Sequence, residues 1–136
     1  MLAEGCLAEL KSRAYGIVLG IVLAERLGAV IGDKIILMTT EGSITPLGMV
    51  PRMRRFEVVG IFYAGMYEFD RSLAYIHLDD AARILRMGTA VTGLSLAVEE
   101  PLAAPEIVRA VARAYGGGVY VSDWTRQHAN FFRSIE

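Results

Sequence analysis

The chain has 136 residues, 54% hydrophobic and 21% charged, and its 14 basic and 15 acidic side chains leave a formal net charge of −1. That apolar content excludes a disordered chain, and the near-neutral balance argues against the basic field of a nucleic-acid binder. A length of this order holds one sizeable core, or two small lobes sharing the chain, and a single compact unit is expected.

From Leu2 to Leu10 the apolar positions Leu2, Ala3, Cys6, Leu7 and Leu10 have helical spacing, so a short amphipathic helix is predicted. Met1 to Glu4 has neither a basic n-region nor an apolar h-region, so it reads as no secretory signal. Gly16 to Gly20 suits a buried strand or turn, and Ile21 to Leu27 a helix ended by Gly28. The longest uncharged stretch, Ala14 to Ala24, is stopped by Glu25 and Arg26, well short of the roughly 20 residues of a spanning helix. Val58 to Tyr67 is also too short and carries Gly60 and Gly65; it reads as a strand entering a turn.

Lys34 to Thr39 and Arg54 to Phe62 are β-branched or alternating and read as strands. Between them, Thr40 to Met53 contains Gly42, Pro46, Gly48 and Pro51, which predicts a long projecting loop or an irregular hairpin tip. Ser72 to His77 reads as a strand. Asp79 is expected to cap a helix that turns Ala82, Leu85 and the stem of Arg86 inward and ends at Gly88. Thr92 to Val98, Pro101 to Tyr115 and Val119 to Val121 read as a β-α-β unit, its helix facing inward with Ile107, Ala110, Val111 and Ala114 and stopped by Gly116-Gly-Gly118. Ser122 or Asp123 caps a last helix with Trp124, His128, Phe131 and Ile135 in one stripe, and the chain stops with that helix still running, as if cut within a longer protein. The fold class is therefore α+β, with small mixed sheets and short helices, and the internal boundary is drawn near Gly88.

Catalytic groups are few. Asp79-Asp80 and Glu99-Glu100 are sequence neighbours, whereas two carboxylates acting on one substrate must converge from different environments; a cap and a solvated pair explain them better. Ser72, Ser95 and Ser122 lack nucleophile-elbow glycines, and Cys6 with His77 and His128 makes none of the usual four-ligand zinc patterns. Gly16-x-x-x-Gly20 lacks the ending of a phosphate loop, and Gly116-Gly117-Gly118 follows a helix where a phosphate site needs to open one. No enzyme, cofactor or metal is expected.

The segment from Ser43 to Arg55 stands out. Pro46 and Pro51 stiffen the backbone on either side of Gly48, while Leu47, Met49 and Val50 are apolar in a region too broken to be core. Arg52, Arg54 and Arg55 stand at its base, with Arg52 and Arg54 on one strand face. A stiff apolar tip with a positive collar is what a partner-binding hook needs, because it loses little entropy on docking and its charges orient the encounter. The plain alternative is a surface hairpin tucked against its own domain.

At this loop the chain resembles the periplasmic domain of the LolC/LolE family, permease subunits of the lipoprotein-releasing ABC transporter of Gram-negative bacteria. The matching stretches, in order, are Tyr15-Gly-Ile-Val-Leu-Gly20, Leu23-Ala24, Leu27-Gly28, Gly32-Asp33-Lys34, Thr45-Pro46-Leu47-Gly48 with Pro51, Phe56 to Phe62, Gly65 to Asp70, Asp123-Trp124 and Asn130-Phe131-Phe132. The resemblance implies an inner-membrane protein with this domain facing the periplasm, beside a partner permease and ATPase subunits, handing lipoprotein substrates to a soluble LolA-like carrier. It implies a hook over Ile44, Thr45, Pro46, Leu47, Gly48, Met49, Val50 and Pro51, continued by Arg52, with flanking contacts at Met53 and Arg54. A further basic residue of the family falls near Ile36, which is apolar here. It also implies a sabre-like inserted lobe over residues 20–88 and the returning half of a porter-like lobe over 89–136. Strand edges left open are expected to allow a homodimer. The alternatives are a related mechanotransmitting MacB-like or FtsX-like permease domain meeting a different partner, and a free-standing hydrolase or binding module.

Overall fold

The computed structural model describes residues 2–5 and 7–127, arranged as two compact units, Met1–Thr92 and Gly93–Glu136. Cys6, His128, Phe131, Ile135 and the Asn130-Phe131-Phe132 match lie outside the described residues. The architecture is α+β, with one mixed sheet and short helices.

The sheet belongs to the first unit. Its strands are β1 (Leu2–Gly5), β2 (Gly16–Gly20), β3 (Lys34–Thr45), β4 (Gly48–Phe62) and β5 (Ala74–Ile76), ordered β1-β4-β2-β5 with β3 also on β4. β2 runs parallel to β4, and every other pairing is antiparallel. Five successive residues of β2 are buried, so its continuous apolar run reads as a strand covered on both faces. The core is Ile17, Leu19, Phe56 and Val58 with Ala24, Ala29 and Ile84 from the elements around them.

The predicted helix over Leu2–Leu10 is not formed. Leu2–Gly5 is a strand on the end of β4, and Leu7–Glu9 is one 3₁₀ turn. A free edge of β4 at Gly60–Phe62 supplies the hydrogen bonds, and the pairing overrides a helical spacing only nine residues long. After β2, α1 (Ile21–Leu27) ends at Gly28 in the left-handed conformation, as its spacing predicts.

Beyond β4 come α2 (Tyr67–Ser72), β5 and α3 (Leu78–Leu85). The cap of α3 is His77, whose Nδ1 accepts from the Asp79 N–H at 3.1 Å, and not Asp79. Its buried residues are Asp80 and Ile84. It ends at Arg86, not Gly88: Arg86 takes the left-handed conformation, and a side chain from β4 satisfies a carbonyl of the last turn.

In the second unit, a 3₁₀ turn at Pro101–Ala103 leads into α4 (Ala104–Tyr115), which ends at Gly116, and α5 (Trp124–Gln127) follows. Asp123 caps α5 by accepting the Thr125 N–H at 2.9 Å, and the Trp124 indole donates to the Pro101 carbonyl at 2.9 Å. The flanking strands predicted at Thr92–Val98 and Val119–Val121 are absent; both stretches are irregular. Alternation supplies a face but no neighbour, and no described residue of this unit offers a strand to pair with. The face of α4 predicted to turn inward is likewise largely uncovered: Ala104 is its buried residue, while Ile107, Ala110 and Ala114 are exposed.

Candidate docking arm

β3 and β4 continue past the body as a two-stranded arm. The prediction of an irregular loop over Thr40–Met53 is corrected: the ladder runs from Lys34↔Glu57 to Thr45↔Gly48, broken between Thr39 and Ser43 where β3 bulges. Both prolines fit for physical reasons. Pro46 and Leu47 form the turn itself, and Gly48, at φ +121°, takes the positive backbone angle that a proline turn cannot supply. The Thr45 hydroxyl locks that turn by donating to the Gly48 carbonyl at 2.8 Å. Pro51 lies opposite the bulge, where the ladder has no pair to lose. Gly42 makes the bulge possible: any Cβ there would stand 2.2 Å from the Val50 carbonyl oxygen.

Alternation then sorts the side chains. One face carries Ile36, Met38, Ile44, Met49, Pro51, Met53 and Arg55, and the other carries Ile35, Leu37, Val50, Arg52, Arg54 and Phe56. The first face is open to solvent along its length, with Ile36, Met38, Met49 and Met53 all exposed. Ile44 is 86% exposed and Leu47, at the tip, 100%. Solvent-facing strands ordinarily carry polar groups, so a stripe of aliphatic and thioether side chains ending in a bare leucine departs from the usual pattern and makes this face the candidate site.

The second face turns toward the body and absorbs the collar arginines. The Arg54 guanidinium lies 4.0 Å from the centroid of the Tyr15 ring, which packs edge-on to Phe56 at 5.6 Å. Arg52 donates from Nη1 to the Ile84 carbonyl at 3.1 Å, placing a cation at the C-terminus of α3. Arg52 and Arg54 do share a face, as alternation requires, but that face bolts the arm to its base. Of the three arginines, Arg55 alone lies on the apolar face; together with Arg54, Lys34, Glu57 and Tyr15 it lines a shallow open cleft at the arm's root. Thr45, Gly48 and Pro51 shape the arm's backbone, and Ile44, Leu47, Met49 and Met53 supply its apolar surface, with Val50 exposed on the opposite face.

Sequence reasoning missed the group that holds this base in place. Asp80, with no exposed surface, accepts from the Arg13 N–H at 2.8 Å, the Tyr15 N–H at 3.0 Å and Arg83 Nη1 at 2.9 Å. Arg13 and Tyr15 both have positive φ, at 65° and 52°, a conformation non-glycine residues hold only when something compensates for it. The carboxylate clamps that kink and so aims the Tyr15 ring at Arg54. No local signal distinguishes Asp80 from Asp79, which is exposed. The Asp79 carboxyl is held below its ordinary range chiefly by a hydrogen bond from Ser12, against some burial, with His77, Arg83 and Arg13 adding attraction. Among the described residues no group of three or more His, Cys, Asp or Glu could hold a metal ion, and no helix is long and apolar enough to cross a membrane.

Residues 2–114 match the family model of the MacB-like periplasmic core domain. The chain is 41% identical over 123 residues to the lipoprotein-releasing system transmembrane protein LolC of Neisseria meningitidis, covering 90% of this chain and 30% of that protein. It is 38% identical over 135 residues to the LolC of Xylella fastidiosa, covering 99% and 32%. The LolC of Haemophilus influenzae is 33% identical over 123 residues, covering 89% and 30%. The chain thus spans about a third of the length of these curated relatives.

Proposed function

The chain belongs to the MacB-like periplasmic core domain family, and from that premise we propose that it is the periplasmic docking domain of a permease in a lipoprotein-releasing ABC transporter. In this reading the domain stands outside the inner membrane, beside a partner permease and above ATPase subunits that supply the energy. It does no covalent chemistry. Its work is to present the β3–β4 arm so that a soluble, LolA-like carrier takes the tip into an apolar cavity while a lipoprotein is handed over. The observation that carries the proposal is a preformed arm with Leu47 wholly exposed and Ile44 nearly so.

Burying a leucine or isoleucine side chain is worth about 1.5–3 kcal/mol, so Ile44, Leu47 and Met49 together contribute roughly 4.5–9 kcal/mol toward offsetting the cost of association. The hairpin is already ordered, so docking forfeits little conformational entropy. Arg55 and Lys34, flanking the apolar face at its root, add attraction for an acidic rim and set the orientation of the encounter. Arg52 and Arg54 act from the other side, tying the arm to α3 and Tyr15 so that movement of the body reaches the tip as a stiff lever.

The test is a triple replacement, Pro46→Ala, Leu47→Asp and Met49→Asp, with binding to a LolA-type carrier measured by titration calorimetry. Affinity is expected to fall by at least about 100-fold while the circular dichroism spectrum stays as it was. An unaltered affinity would defeat the reading.

A further inference from the structure

The open face of the arm has a chemical property that docking alone does not require. Three of the chain's six methionines stand on it. Met38 and Met53 are directly opposite each other in the ladder, about 5 Å apart at Cβ, and Met49 is opposite Ile44, one pair below the turn. They are 60%, 57% and 65% exposed, so solvent reaches all three alike. Aliphatic residues would make the same face equally apolar, and β-branched ones would suit a strand better. What a thioether adds is an adaptable shape and a sulfur open to two-electron oxidants.

The remaining described methionines provide a comparison within the same chain. Met66, 50% exposed, lies off the arm at the start of α2, and Met87, after α3, is half-buried.

We propose that Met38, Met49 and Met53 form a reversible oxidation site, converted by peroxide to methionine sulfoxides that turn the arm's face from apolar to polar. The consequence for a carrier rests on the docking role. In the forward step the sulfur attacks one peroxide oxygen; the S–O bond forms, the O–O bond breaks and water leaves. Sulfur is oxidised by two electrons and the peroxide reduced by two. In the return step two thiols of a reductase supply two electrons and two protons, the oxygen leaves as water and a disulfide forms. On the solvent face a sulfoxide oxygen accepts hydrogen bonds from water, so the ladder beneath keeps its own bonds. Inside an apolar cavity that oxygen loses the water with nothing to replace it. Oxidation therefore opposes docking without unfolding the arm. Met49 contributes most, because it lies beside Ile44 and nearest the tip.

The chain, with Cys6 alkylated beforehand, is treated with hydrogen peroxide and followed by peptide mapping, hydrophobic-interaction chromatography and calorimetry against a LolA-type carrier. Met38, Met49 and Met53 are expected to gain one oxygen each at rates within about threefold of a free methionine amide, ahead of Met87. Column retention is expected to shorten while the urea midpoint holds, and carrier affinity to fall at least about tenfold. Methionine sulfoxide reductases acting on both epimers, with a dithiol, are expected to restore both. Replacing Met38, Met49 and Met53 together by leucine is expected to make retention and affinity indifferent to peroxide, whereas Met66→Leu leaves the response intact. Arm methionines that oxidise more slowly than Met87 would overturn the proposal. So would an unchanged retention, or an equal response in the triple leucine variant. An untreated chain that does not bind the carrier would defeat the docking role instead, and the peptide map and retention would still decide the oxidation site.

Discussion

β4 is one unbroken strand with two fates. From Phe56 to Phe62 it has β2 along one side and α1 nearby, and Phe56 and Val58 have almost no exposed surface. From Gly48 to Arg55 it has β3 alone, and the residues on its outer face are bare. The apolar side chains themselves barely differ between the halves, since the methionines and valine above are as apolar as what lies below them. What changes is the number of neighbours available to cover them. In the lower half, apolar surface was removed from water by folding; in the upper half it stays in water.

Swapping a large for a small side chain separates the halves most sharply. Phe56→Ala is expected to destabilise the chain by about 3–5 kcal/mol, whereas Leu47→Ala changes stability by less than about 0.5 kcal/mol; urea unfolding of both checks the contrast. Equal costs would mean that the arm's tip is packed in solution. Next in size is the joint between the halves. Asp80→Ala removes the acceptor for two backbone N–H groups and leaves Arg83 without its partner, an expected loss of about 3 kcal/mol in the same measurement. It should also broaden the Tyr15 ring resonances, since the kink that aims the ring loses its clamp. Smallest is the brace itself: Arg54→Ala is expected to lower stability by only about 1 kcal/mol, with Arg54→Lys recovering part of it. Its larger effect should be on backbone relaxation of the Ile44–Met49 tip, which loosens if the Tyr15 stack stiffens the arm.

Much of the first unit was legible from residue patterns. The apolar run Gly16–Gly20, the helix ended by Gly28, and the alternation around Phe56 each specify a local conformation that needs no information from elsewhere. The arm's apolar tip was legible because prolines and glycines beside Leu47 exclude it from a packed interior. The regular ladder around that tip was not. Pro51 forbids a strand only if its missing N–H would have faced a partner, and that depends on register. The same limit explains the arginines: alternation put Arg52 and Arg54 on one face but could not say that α3 and Tyr15 lie under it.

Sequence by itself determined conformations set by short-range sterics and by the spacing of apolar groups: where the chain turns, which stretches extend, which helices stop. Tertiary structure alone decided every property that needs a second, distant group. It made Leu2–Gly5 a strand by giving it the end of β4, and it left Thr92–Val98 irregular by giving it no neighbour. It buried Asp80 while leaving Asp79 in water, although the two are adjacent and chemically identical. The reason is physical: a backbone angle is chosen by its own residue, whereas a hydrogen-bond ladder, a buried charge and an open edge exist only by virtue of what stands across from them.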